Sequence, residues 1–162
     1  MSNKSKVKLT PLFLSVVGLI MVGGVIFYLS SPVNNAEAKI YLNYKDADIV
    51  GLGKNVYAKN CASCHGVALG AQANWQQRDS DGYLPAPPHD ETGHTWHHDT
   101  KMLFDYTKYG GQKTLAAVGV TDYNSGMPGY QDVLSDLQIW EVLAFIRSTW
   151  PKEIQDLHAT RH

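Results

Sequence analysis

The sequence predicts a helical protein: one apolar span followed by a small domain whose recognisable elements are helices. Three stretches carry this reading. A nearly unbroken apolar run extends from Leu12 to Leu29; Ile49, Leu52, Val56 and Tyr57 recur at helical spacing within 46–60; and a broad apolar stripe runs from Ser135 to Trp150. A chain of 162 residues suits one small domain plus an accessory segment. The net charge of −1, with no basic patch interleaved with aromatics, points to no nucleic-acid partner.

The first element reads as a membrane span. Lys4, Lys6 and Lys8 precede it and no acidic residue appears before Glu37, a pattern that leaves the N-terminus in the cytoplasm. At about 1.5 Å per residue the run reaches roughly 27 Å, just enough for a hydrocarbon core of about 30 Å. Residues 1–11 are thus expected to form a cytoplasmic basic tail and 12–30 a transmembrane anchor in contact with membrane lipid. Ala36-Glu37-Ala38 has the small-x-small pattern of a signal cleavage site, but the apolar run is longer than the roughly 7–15 residues of a signal core, which favours an uncleaved anchor. Both readings export the rest of the chain. Residues 31–46, with Pro32 and Asn34-Asn35, read as a tether whose reach is on the order of 20 Å, enough to hold a domain near membrane partners.

The helix expected over 46–60 runs directly into Cys61-Ala62-Ser63-Cys64-His65. Gly51 and Gly53 weaken that helix or admit close approach of another one. On a helical turn, residues three and four apart share a face, so Cys61, Cys64 and His65 all point at one object. Two thiols there can form thioethers with the vinyl groups of a porphyrin, and the adjacent imidazole then reaches the iron. These are the only two cysteines, so the pattern predicts one covalent haem c. Other readings fit less well. A redox-active Cys-x-x-Cys follows a strand in a βαβ pattern, whereas a helix precedes this one. Zinc would need His94 and His97 across a long gap, and a disulfide over two intervening residues is strained.

A haem iron held by one histidine can take a second protein ligand. Of four methionines, Met1 begins the chain, Met21 lies in the apolar run, and Met102 shares an amphipathic face with Leu103, Tyr106 and Tyr109. Met127 sits in Ser125-Gly126-Met127-Pro128-Gly129-Tyr130, where proline stiffens the backbone and glycines allow close approach to a flat ring. Met127 is therefore the expected distal ligand, with His89, His94, His97 and His98 as rivals. His/Met ligation raises the potential and closes the iron to substrates.

In the last predicted helix Ser135 serves as N-cap and Gln138 completes a capping box; Pro151 ends it. A helix entering Cys-x-x-Cys-His-Gly, a later Met-Pro loop and a closing aromatic-rich helix resemble a class I cytochrome c. The stretch from Gly126-Met127-Pro128-Gly129-Tyr130 to Phe145-Ile146-Arg147 is similar to the membrane-anchored, single-haem members of bacterial respiratory chains. The resemblance implies an all-α fold around the haem over residues 47–151, its first and last helices packed crosswise, with 152–162 as a C-terminal tail. It also implies a proline carbonyl that orients His65, Pro87 being the first candidate and Pro85 the second.

The chain departs from that pattern between Gln72 and Thr100, a longer, polar segment with four histidines. It reads as a surface loop over one haem edge, with Trp75, Arg78, Tyr83 and Trp96 as packing or propionate partners. A second metal site from His94, His97 and His98, for instance for copper, is the rival reading. The functional expectation is a membrane-tethered one-electron carrier, not an enzyme. Its haem domain would be periplasmic at the bacterial inner membrane, taking electrons from a quinol-oxidising cytochrome complex or a dehydrogenase and passing them to a terminal oxidase. A fixed haem subunit of a larger oxidoreductase and a haem-based sensor are the alternatives.

Overall fold

The computed structural model describes residues 42–161. The expected basic tail, the anchor at 12–30 and the tether up to residue 41 lie outside the described residues. Among the described residues no helix is long and apolar enough to cross a membrane.

Helix α1 spans Ala47–Asn60. Asp46 caps it, its carboxylate accepting from the Asp48 and Ile49 amides, and Asp48 adds negative charge to the first turn. A single further turn, α2 at Ala62–His65, follows almost without a break, since the Cys61 amide still donates to the Tyr57 carbonyl at 2.9 Å. Irregular chain then leads to a 3-10 turn at Thr95–His97. Helix α3 (Thr100–Tyr109), capped by Asp99, is followed by α4 (Gly111–Ala117). Helix α5 covers Asp136–Ser148, and the Ser135–Gln138 capping box expected from the sequence is present in both directions. No β-strand occurs among the described residues.

The core lies where α1 meets α5. Val56 and Tyr57 pack with Ile139, Val142, Leu143, Ala144, Phe145 and Ile146, and Leu69, Leu134 and Trp150 close the cluster. Each fully buried aliphatic side chain, such as Ile139 or Val142, contributes about 1.5 to 3 kcal/mol. Gly53 sets the approach of the two helices. A Cβ there would stand 1.9 Å from the Glu141 carbonyl oxygen, so only glycine lets the backbones come this close. Gly51, by contrast, faces open space.

Leu52, expected at helical spacing with Val56 and Tyr57, and Leu137, within the apolar stripe from Ser135 to Trp150, are 52 % and 46 % exposed. With Gly53 at the contact, the buried face of α1 is Gly53, Val56 and Tyr57, spaced three and four apart, and Leu52 falls beside it. The residues after Pro151, expected to form a tail, contain helix α6 (Lys152–Ala159). It is docked by Gln155, whose Nε2 donates to the Trp150 carbonyl at 2.9 Å, and by Arg147, which donates to the Gln155 carbonyl at 3.1 Å. Buried His158 meets Trp150 edge to face.

Candidate haem site

The turn from Cys61 to His65 is held at both ends by tyrosines. The Tyr57 hydroxyl, one helical turn earlier, donates to the Gly66 carbonyl at 2.9 Å. From far along the chain, the Tyr130 hydroxyl donates to the Asn60 carbonyl at 2.8 Å. Burial pushes the pKa of both phenols up, so they stay protonated and remain donors. Gly66 leaves the turn at φ 79°, a left-handed conformation that a side chain would strain.

Cys61 is buried, Cys64 lies at the surface of the polypeptide, and no disulfide joins them. Burial, and then the neighbouring Cys64, push Cys61 up to about 11.

His65 is buried, and its Nδ1 lies 2.9 Å from the Pro87 carbonyl oxygen. A carbonyl only accepts, so Nδ1 carries the proton and the lone pair of the neutral ring is on Nε2. Burial lowers the pKa of His65, outweighing the opposing pull of the Pro87 carbonyl, and keeps the ring in that neutral form. This is the protonation state a metal-binding imidazole needs. Of the two candidate prolines, Pro87 is the one used.

Met127 lies on a loop clamped to the end of α3. The Gly111 amide donates to the Met127 carbonyl at 3.1 Å, and the Tyr130 and Gln131 amides donate to Thr107 and Lys108 carbonyls. Gly110 and Gly129 allow this: a Cβ on either would come within 2.7 Å of the other strand of chain. The same loop carries Tyr130, whose bond to Asn60 ties it to the chain immediately before Cys61. The fold therefore joins the segment bearing Met127 to the turn bearing Cys61, Cys64 and His65.

The rival histidines are engaged elsewhere. His89 lies flat on the His65 ring, with centroids 3.9 Å apart and planes 24° from parallel. His89 therefore lies against the flat face of the His65 ring. His94 stacks on Trp75 and meets His98 edge to face, while His97 stacks on Trp96 at 3.7 Å. Among the described residues no group of three or more histidine, cysteine or acidic side chains is arranged to hold a metal ion. Arg78, in the segment between Gln72 and Thr100, donates to the Gly82 carbonyl and lies over the Tyr123 ring.

Sequence reasoning overlooked Tyr57 and Tyr130 as props of the turn, and it named His89 only as a rival distal ligand, with no sign that it would stack on His65. The position of Tyr130, three residues past Met127, was the available signal.

Two thiols and a neutral imidazole on one helical turn, in an all-helical domain, fit a covalently held haem and define a c-type haem protein. A family model described as cytochrome c matches residues 50–150, more than half of the chain. The chain belongs to that family, as a class I c-type cytochrome, and the two cysteines accommodate one covalent haem c, at Cys61 and Cys64. No curated protein and no solved structure matches it.

Proposed function

We propose that this cytochrome is a membrane-tethered one-electron carrier whose haem c is bound through Cys61 and Cys64 and ligated by His65 and Met127. In this reading it works at the bacterial inner membrane with its haem domain in the periplasm. It accepts electrons from a quinol-oxidising cytochrome complex or a dehydrogenase and delivers them to a terminal oxidase, without catalysing a reaction of its own. The bound haem supplies a ferric–ferrous couple that takes up and releases single electrons.

The chain's own residues have three tasks. Cys61 and Cys64 would fix the porphyrin edge near Val67, which is 87 % exposed and suits short-lived contact with redox partners. Pro87 holds the proton of His65 at Nδ1 so that Nε2 presents its lone pair. The clamped glycine-proline loop presents Met127 with little freedom to move away, which favours outer-sphere transfer over chemistry at an open iron.

The observation that carries the reading is the 2.9 Å contact between His65 Nδ1 and the Pro87 carbonyl. The test is an optical redox titration of the haem-loaded full chain extracted in mild detergent. A high midpoint is expected, and a strongly negative one would count against the carrier role. Sizing of the same extract separates a free carrier from a fixed subunit of a larger complex.

A further inference from the structure

The hydrogen bond to Pro87 does not by itself fix how the His65 ring is turned. A hydrogen bond of normal length prefers to lie within roughly 30° of linearity and weakens steeply only beyond a departure of roughly 60°. The imidazole can therefore swing about its Cβ–Cγ bond while keeping that contact. On one face the swing is blocked by the stacked ring of His89.

Both the backbone and the ring of His89 are held in place. The His89 amide donates to the Leu69 carbonyl at 2.8 Å, and its own carbonyl accepts from Trp150 Nε1 at 2.7 Å. Its Nδ1 lies 2.8 Å from Thr95 Oγ1, and the Tyr57 ring meets it edge to face. Residues 87–89 thus reach His65 twice, with a carbonyl at the ring's edge and an aromatic plane against its face.

We propose that His89 is a positioning residue: its tethered ring sets the rotation of the His65 imidazole, and hence the orientation in which that imidazole meets the haem iron. The Pro87 carbonyl chooses the tautomer; the His89 plane chooses the angle. A small apolar residue at position 89 could fill the space but would leave the angle to thermal motion. The inference rests on the reading of His65 as an iron ligand.

The readout is the proton NMR spectrum of the ferric haem-loaded chain, where the spread and order of the haem methyl shifts report the orientation of the axial ligand planes. His89→Ala removes the plane, His89→Phe restores a plane without the Thr95 tether, and His89→Leu fills the space without a plane. His89→Ala is expected to reorder the methyl shifts and His89→Phe to return them towards the wild-type pattern. An unchanged pattern in His89→Ala overturns the proposal, as does a pattern in His89→Phe displaced as far as that of His89→Ala. If His89→Ala fails to mature with haem, His89→Leu decides in its place: a reordered pattern supports the role of the plane, and an unchanged one overturns it. Covalent haem by mass and the far-red thioether band, recorded on wild type, test the ligation reading separately. Their absence there would sink that reading, whereas their presence with unmoved methyl shifts in the variant sinks only the role of His89.

Discussion

Two glycines of α1, one residue apart from being neighbours, should respond to the same substitution with opposite signs. At Gly53 an alanine Cβ would stand 1.9 Å from the Glu141 oxygen, 2.5 Å from its carbonyl carbon and 2.9 Å from Phe145 Cβ. Two of these atoms are backbone within α5, so no side-chain rotation relieves the overlap and the helices must separate by more than an ångström. Overpacking of this kind costs about 3 kcal/mol, at the upper end of its usual range, and the better helix propensity of alanine returns about 1 kcal/mol. The net loss of about 2 kcal/mol corresponds to a fall in Tm of about 6 to 12 °C for a domain of this size. At Gly51 nothing lies within 4 Å, so only the propensity gain acts. Gly51→Ala should therefore raise Tm by about 2 to 6 °C. Thermal unfolding of the haem-loaded protein, followed by circular dichroism, measures both. A Gly53→Ala variant as stable as wild type would refute the close contact between α1 and α5, and with it the geometry that carries the Cys61–His65 turn.

Other perturbations address the site and its surroundings. Met127→Ala should abolish the far-red absorption band of the ferric protein while leaving haem covalently attached; persistence of the band would remove Met127 from the iron. Tyr130→Phe deletes the bond to the Asn60 carbonyl, and a loss of about 1 kcal/mol in loop stability should raise the affinity of ferric iron for added imidazole about five-fold. An optical titration with imidazole that matches wild type would show that this tie does not restrain the loop. The folded state holds the pKa values of His94 and His98 down, through burial first and then through neighbouring imidazoles, with Arg161 adding to the effect on His98 and Asp99 opposing it. The unfolded chain binds these protons near pH ~6.5 and the folded chain only at lower pH, so stability should fall as pH drops below about 6.5. Urea midpoints at about pH 7.5 and about pH 5.5 should differ less in His98→Gln than in wild type, and an equal difference would exclude His98 as a contributor.

The order in which information became legible follows from its physical range. Cys61, Cys64 and His65 were readable as one site because the helix itself brings residues three and four apart together, with no help from the rest of the fold. The capping box at Ser135 and Gln138 and the stop at Pro151 are equally local, and they appear as expected. The choice between Pro85 and Pro87 was not local. It depended on the path of the chain between Gln72 and the 3-10 turn, where irregular backbone leaves no period to read.

The sequence by itself determined the chemistry of the haem turn and the existence of its flanking helices, since both rest on contacts within a few residues. Tertiary structure alone decided that Gly53 rather than Leu52 faces α5, that Tyr130 ties the Met127 loop to Asn60, and that His89 lies against the face of His65. Each of these joins segments far apart in the chain, and the pairing is chosen by which surfaces pack without voids or overlap. That choice is a property of the assembled core, and no single stretch of sequence contains it.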